Sequence, residues 1–352
     1  MRILLYDTTA YTPSSPLFLE ALEELSQEKG HEFVFFDEAP YVRGLTGSLI
    51  QKVAFRLLRR RLFAYQRLNR DLLATALQFR PDVVLIVKGA FVAPQTLQYI
   101  KEETGAVLVN YATDDPWNPR VSTPDLIRAI CYYDLYACTK RAIMADVRAA
   151  GCPRVAFVPF GYKPSVHYPE RAATKEEHIR FGSDVVFLGG CDRDRIPFFE
   201  FLTQKMPALR LHLYGGYWDR HPLLRRYYRG FAYGRDYRLA LGGTNIALNL
   251  VRRANRDGHV MRSFEIPACG AFMLAERTEE HLDWFEEGKE AAYFDSPEEL
   301  VEKVRYYLIR HQEREAIAWR GHLKVTRGGN TYKDRVTTIL QMVVNSAEAE
   351  RA

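Results

Sequence analysis

The residues best suited to chemistry lie in four short stretches, each at the end of an apolar run. The first is Gly189-Gly190-Cys191-Asp192-Arg193-Asp194-Arg195. Gly189 and Gly190 let the main chain approach a phosphate, and the helix expected next offers free N–H groups and the positive end of its dipole. Arg193 and Arg195 add charge-assisted hydrogen bonds. The stretch has neither the Gly-Lys-Ser/Thr of a Walker loop nor the G-x-G-x-x-G of a dinucleotide loop. It reads as a diphosphate loop of another kind, or as a tight strand-to-helix turn with surface arginines.

The second stretch runs from Asp257 through Gly258, His259, Val260, Met261, Arg262, Ser263 and Phe264 to Glu265, with seven residues between the two acids. Gly258 frees the backbone before a helix expected to start near Ser263, and a helix N-terminus beside Arg262 is suited to an anion. Glu265 in the first turns can accept from two adjacent hydroxyls, as on a ribose; alternatively it forms a surface ion pair with Arg262, three residues back. The third, Tyr214-Gly215-Gly216-Tyr217-Trp218, could hold a base by stacking and main-chain contact, or its aromatics belong to the core. The fourth is Thr113-Asp114-Asp115-Pro116-Trp117. Paired carboxylates such as Asp114 and Asp115 raise each other's pKa, so one can act as a base, and a pair can also hold a divalent metal. The same pattern also starts an Asx turn before a proline.

These stretches need a scaffold of strands and helices, and the chain supplies one twice. Apolar strand-length runs at Ile3–Tyr6, Glu32–Phe36, Val83–Val87, Val107–Tyr111, Leu135–Cys138 and Val155–Val158 alternate with helical periodicity at Phe18–Lys29, Leu49–Phe79, Pro94–Thr104, Leu126–Tyr132 and Arg141–Ala149. The uniformly apolar Val83–Val87 fits a parallel strand covered on both faces. Pro159–Pro169, with three prolines and a glycine, interrupts this order, and the charge-rich Glu170–Arg180 continues the break. The alternation resumes with strands at Asp184–Leu188, Leu211–Tyr214, Asn245–Leu250, Phe272–Ala275 and Ala292–Phe294. Helices are expected at Pro197–Gln204, Tyr237–Leu241, Ser263–Cys269, Glu279–Glu287, from the Ser296 cap to Arg310, at Glu313–Val325 and at Tyr332–Asn345. The fold class is therefore α/β with two doubly wound parallel-sheet domains, residues 1–165 and 166–330, followed by a terminal helix in 331–352.

The 352 residues suit two domains, and 47% hydrophobic with 26% charged residues is globular composition. No apolar run is long enough to span a membrane, and the N-terminus reads as a strand without a signal-peptide cleavage site, so a cytoplasmic protein is expected. Cys131, Cys138, Cys152, Cys191 and Cys269 are scattered singly, which argues against disulfides and zinc. The net charge of +5 is concentrated at Arg56, Arg59, Arg60, Arg61, Arg67 and Arg70. This is a solvated helix face, or a basic patch that touches anionic lipid or phosphate, in the first case at the surface of a membrane; no nucleic-acid motif accompanies it.

The stretch Arg262-Ser263-Phe264-Glu265-Ile266-Pro267-Ala268-Cys269-Gly270-Ala271-Phe272-Met273-Leu274 resembles the core motif of the CgeB-like "glycosyl transferases group 1" family. Glu287–Glu290, Ser296–Leu300, Thr331–Arg335, Arg80-Pro81-Asp82, Lys88-Gly89, Asn110–Pro116 and Pro159–Tyr162 are similar to other parts of the same family. The resemblance implies a GT-B fold, two Rossmann-like domains facing across a cleft, with the donor nucleotide on the second domain, the acceptor on the first and a last helix crossing back. It further implies Glu265 at the ribose. Asp257 stands where related retaining enzymes carry a glutamate. No bound metal or cofactor is implied beyond a nucleoside diphosphate sugar as co-substrate. The expected activity is transfer of a sugar to a glycan, lipid-linked or protein hydroxyl, with Asp114 or Asp115 as base if the enzyme inverts. Two rivals remain: an epimerase of sugar nucleotides using His259, and a catalytically silent nucleotide- or glycan-binding protein of coat or envelope assembly.

Overall fold

The computed structural model describes residues 1–9, 16–42 and 63–349. Arg56, Arg59, Arg60 and Arg61 and the first part of the expected Leu49–Phe79 helix lie outside them; Phe63–Phe79 is helical. The chain divides into two compact units, Met1–Pro159 with Tyr332–Ala352, and Phe160–Thr331.

The first unit is built on a parallel sheet of β1 (Arg2–Asp7), β2 (Glu32–Asp37), β3 (Val83–Val87), β4 (Val107–Ala112), β5 (Leu135–Cys138) and β6 (Val155–Phe157), in the order β2-β1-β3-β4-β5-β6. All five residues of β3 are buried, as a central parallel strand with both faces covered requires. Leu4, Tyr6, Val84, Ile86 and Leu108 pack with Leu68 and Leu72 of helix Phe63–Phe79 and with Leu97 and Ile100 of helix Pro94–Thr104. The final helix, Tyr332–Ala349, docks on helix Leu19–Lys29: Lys333 reaches Glu24 at 3.0 Å and Glu28 at 2.5 Å, and Tyr332 meets the Phe18 ring edge-on.

The second unit carries β7 (Ser183–Leu188), β8 (Leu211–Tyr214), β9 (Thr244–Asn249), β10 (Met273–Glu276) and β11 (Ala292–Phe294), all parallel, in the order β11-β10-β9-β7-β8. Alternate residues build two cores. Val185, Phe187, Leu211, Leu213 and Leu248 face helices Ile196–Lys205 and Pro297–Ile309, while Val186, Leu188, Tyr214 and Ala247 face helices Arg235–Gly242 and Arg262–Ala268. Edge strand β8 is flanked by an irregular strap, in which Arg229 N–H donates to the Leu213 carbonyl and Gly215 N–H to the Gly230 carbonyl, both at 2.9 Å.

In each sheet the first strand lies between the second and the third, so the order reverses between β1 and β3 and again between β7 and β9. Ligands of open parallel sheets bind outside the carboxyl ends of the strands at such a reversal.

Some sequence expectations need correction. The charge-rich Glu170–Arg180 contains a helix, Lys175–Phe181. Thr174 caps it, accepting from Glu177 N–H; acids fill its first turn, His178 and Arg180 its last, and Phe181 anchors it in the core. Its one apolar anchor left no periodicity to read. The expected helix Leu126–Tyr132 is an α-helix at Pro124–Ala129 continued as a 3₁₀ turn, and Glu279–Glu287 stops at Trp284. Among the described residues, no helix is long and apolar enough to cross a membrane.

Candidate functional site

The crevice of the second unit lies where β7 runs out into Gly189-Gly190 and β9 into Leu250. Main chain forms its floor. Gly189 N–H donates to the Tyr214 carbonyl at 2.8 Å, and Trp218 Nε1–H donates to the Gly189 carbonyl at 2.7 Å. Gly215 sits at φ +121°, and a Cβ there would stand 2.6 Å from the Gly189 carbonyl, so the two loops touch only because neither has a side chain. Tyr214 itself is core.

Four arginines were candidates or neighbours of this floor, and the structure separates their roles. Arg195 is buried. Its Nη1 donates to the Gly190 carbonyl at 3.1 Å and to Asp192 at 2.9 Å, and its Nη2 to the Leu250 carbonyl at 3.3 Å. It clamps the ends of β7 and β9 together instead of offering its charge to a ligand. Burial, with Arg262 adding to it, pulls its pKa below the usual arginine range. Arg252 is spent on Asp257, Nε to Oδ2 at 3.2 Å. Arg193 is exposed and makes no hydrogen bond among the described residues. Arg262 lies against the floor, its Nη1 3.3 Å from where a Gly189 Cβ would be, its guanidinium 5.4 Å from the Phe187 ring centroid. Its side chain hydrogen-bonds nothing described, and its Nε is buried without a partner. Its pKa too is lowered, by burial first, with Arg252 contributing. A cation without a hydrogen-bond partner among the described residues, beside a side-chain-free loop, is a candidate contact for an anion.

The helix N-terminus contributes differently from expectation. The helix begins at Arg262, and the N–H groups of Ser263, Phe264 and Glu265 already donate to the carbonyls of Val260 and Met261. They are therefore closed to a ligand, which leaves the Arg262 side chain as the candidate anion contact of this helix. Ser263 is buried, its hydroxyl donating to His281 Nε2 at 2.8 Å and accepting from Asn249 at 3.0 Å. His281 Nδ1–H in turn donates to the Glu276 carbonyl at 2.7 Å. This network ties the helix start to β9 and β10. Phe264 is core, packed on Trp284 at 4.4 Å.

Glu265 is held at the crevice by two donors. Tyr237 O–H donates to its Oε2 at 2.8 Å. His167 Nδ1 accepts from Lys163 N–H, so its proton sits on Nε2, 3.5 Å from Glu265 Oε1. Burial lowers the His167 pKa, against the pull of Glu265. Neither His167 nor Tyr237 was singled out from the sequence; an aromatic and a histidine with no periodic partner gave no signal. Asp257, the expected contact to a donor sugar, is turned inward and accepts from Arg252 and from Asn255 at 2.7 Å, shaping its own loop. Gly258 is needed because a Cβ would overlap the Glu280 carboxylate. His259 is fully buried: Nε2 accepts from Phe160 N–H at 3.1 Å, and Nδ1–H donates to Glu280 at 2.5 Å. With both nitrogens engaged, it is a structural histidine.

Around the end of β8 stand exposed aromatics: Tyr217, held at φ +72° with Arg220 over its ring, and the stacked pair Phe231 and Tyr233. They are available for stacking, as Tyr214 is not.

Past the end of β4 in the first sheet, one strand from its reversal, Asp115 is buried and accepts from Trp117 N–H at 2.9 Å, which is the Asx-turn alternative. Asp114 pairs instead with Lys88, Nζ to Oδ2 at 2.9 Å. Lys88 sits at φ +63° at the end of β3, an uncommon conformation for a non-glycine residue. Glu38 was missed in the sequence. It is buried at the end of β2, accepts from Tyr6 O–H at 2.5 Å, and burial pushes its pKa up to about 7.

Comparison with solved structures defines the class of fold. HepE of Anabaena, in complex with UDP and glucose, is 13% identical with a TM-score of 0.62, covering 99% of this chain and 100% of that one. Sucrose-phosphate synthase of Thermosynechococcus elongatus is 11% identical with a TM-score of 0.70 over the same shares. The lipopolysaccharide outer core galactosyltransferase WaaB is 10% identical with a TM-score of 0.60, covering 97% and 99%. With two all-parallel α/β sheets, these likenesses show a GT-B fold. Residues 193–341 match a family model described as glycosyl transferase-like. No curated protein sequence matches the chain.

Proposed function

We propose that the protein is a glycosyltransferase that moves a sugar from a nucleoside diphosphate sugar to a hydroxyl acceptor. The observation that carries this reading is the unpartnered Arg262 guanidinium against the Gly189 main chain at the strand-order reversal. The diphosphate lies there, with Arg193 as a second cation. Glu265, three residues from Arg262 and oriented by Tyr237 and His167, accepts from the ribose hydroxyls. Tyr217, Phe231 and Tyr233 offer stacking surface for the base. Charge building on the leaving diphosphate is stabilised by Arg262 in a site that needs no reorganisation, commonly the largest catalytic contribution in such chemistry. The match of residues 193–341 to the glycosyl transferase-like model supports the same reading, and so does the UDP held by HepE.

The first domain takes the acceptor, a glycan, lipid-linked or protein hydroxyl. If the reaction inverts, Asp114 is the better candidate base, because Asp115 is committed to its turn. No metal is required by this scheme. An epimerase is disfavoured by His259, whose two nitrogens are engaged inside the domain.

The test is a thermal-shift screen against UDP, GDP, ADP, dTDP and CDP with Arg262→Ala and Glu265→Ala alongside. A nucleotide at about 100 times its Kd stabilises the fold by roughly 2.7 kcal/mol. The shift is expected for one base and lost in both variants, and free nucleoside diphosphate should then accumulate from the matching sugar nucleotide only when acceptor is added. A shift without such release identifies the silent binding protein, and no shift at all removes the transferase.

A further inference from the structure

The second unit holds another cavity, at the opposite end of its sheet from the Gly189 crevice. It has a volume of about 740 Å³ and lies by the start of β8, between helix Lys175–Phe181 and the strap after β8. That volume is in the range of small-ligand sites. Lys175, His178, Arg210, His212, Arg226 and Arg229 line it, and no carboxylate does.

The balance of charge is unusual because so little of it is neutralised nearby. Arg210 pairs with Asp184 at 2.8 Å. Arg226 donates to the Tyr227 hydroxyl, and Arg229 to the carbonyls of Arg226 and Tyr228. Lys175, Arg226 and Arg229 have no acidic partner among the described residues. Three uncompensated cations therefore converge on one concavity. Arginine in such a place is suited to phosphate, which it meets with paired N–H groups.

His212 belongs to the wall of the same cavity. His212, in the middle of β8, is only 7% exposed and lines it, yet its Nδ1 is buried without a hydrogen-bond partner. Neighbours on β8 explain how it comes to be there. Leu211 and Leu213 point to one core, so His212 points to the other face, beside Val186 in register on β7. Burial, then Arg229 and Arg210, lowers the His212 pKa to about 4, in keeping with an unneutralised positive field. Leu209, Ile179 and Tyr227 add an apolar wall.

We propose that this cavity is a second ligand site, separate from the nucleotide crevice, which binds a phosphate group through Arg226, Arg229 and Lys175, with His212 in its wall as a reporter of occupancy. It does not depend on the transferase reading, since it shares no residue with the crevice. The phosphate can come from a soluble phosphorylated molecule or from a lipid headgroup, and one experiment distinguishes them.

The full-length protein, labelled at histidine with ¹⁵N, is titrated with inorganic pyrophosphate, and His212 is assigned from a His212→Gln sample. The His212 resonances should shift saturably in the wild type and in Arg262→Ala alike. The double variant R226A/R229A should weaken that response about tenfold or more, with R226K/R229K recovering part of it. Both arginines are exposed, so the double variant keeps its fold, which its melting profile verifies. In parallel, co-sedimentation with phosphatidylglycerol and phosphatidylcholine vesicles identifies the source. Binding to the anionic vesicles that falls in R226A/R229A indicates a headgroup, and pyrophosphate binding without vesicle binding indicates a soluble ligand. Two results overturn the proposal: a pyrophosphate response that disappears in Arg262→Ala and leaves His212 unmoved, or a His212 shift that chloride reproduces without saturation.

Discussion

Arg195 and Arg262 bring their guanidinium groups to within 5.2 and 5.4 Å of the same Phe187 ring centroid, yet among the described residues Arg195 hydrogen-bonds three oxygens and Arg262 none. The pair divides one task. Arg195 holds the ends of β7 and β9 together, and Arg262 carries the uncommitted charge. Arg195→Ala leaves buried acceptors unpaired and should cost about 2–4 kcal/mol in chemical denaturation. Arg262→Ala removes a guanidinium that makes no hydrogen bond among the described residues and whose desolvation outweighs the pull of Glu265 and Asp257, so it should leave stability unchanged or slightly higher, while abolishing nucleotide-induced stabilisation.

Tyr237 orients Glu265 without being able to reach a ligand through the same hydroxyl. Tyr237→Phe deletes one hydrogen bond to a carboxylate, a loss of about 1.5–3 kcal/mol. In the proposed reaction, KM for the sugar nucleotide should rise several-fold, with a smaller change in kcat. Steady-state kinetics with varied donor measures it; a fall in kcat alone would argue that Glu265 has no part in donor binding.

Two buried groups give opposite pH dependences. His281, with its pKa lowered to about 4 by burial, stays neutral in the folded protein. Its contribution is complete above pH 6.5 and is lost as pH falls towards 4, roughly 3 kcal/mol in all. Glu38, raised to about 7, behaves in the reverse sense. Its contribution is present below pH 4.5 and is lost as pH rises through 7, again roughly 3 kcal/mol. In the wild type the two largely offset each other between pH 4.5 and 6.5. Glu38→Gln should therefore reveal stability climbing with pH in that window, and His281→Asn stability declining. Urea midpoints across the window decide it.

Gly215 has both a positive φ and a neighbour in the way. Gly215→Ala is strained on each count and should destabilise by about 2 kcal/mol or more while displacing the Gly189 loop. Nucleotide affinity should fall with it, although residue 215 presents no chemistry of its own. A titration on the folded fraction separates the two effects.

Much of the scaffold was legible because parallel strands covered on both faces read as unbroken apolar runs, as at Val83–Val87 and Val185–Leu188. The loops following such strands could therefore be nominated before any geometry was known. Which residues in those loops serve a ligand was not legible. Arg193, Arg195 and Arg262 are the same residue type in similar settings, and only tertiary structure distinguishes a clamp from a free cation. Ser263 and His259 looked available in the sequence and are consumed by internal hydrogen bonds. Helix Lys175–Phe181 escaped notice because charge and a cap, not periodicity, define it. The cavity at His212 depends on which way one residue of β8 faces, and on residues 50 or so positions apart along the chain, such as Lys175 and Arg229, meeting.

The strap beside β8 has a duty that its side chains do not reveal. By donating Arg229 N–H to Leu213 and giving the Gly230 carbonyl to Gly215, it occupies the outer rim of the sheet, where another polypeptide could otherwise add itself as a further strand. Its backbone is thus a guard against self-association, while the arginine side chains it bears remain free to vary. Shortening this segment should produce a protein that clumps, whereas changing its charges should produce one that stays dispersed and binds differently.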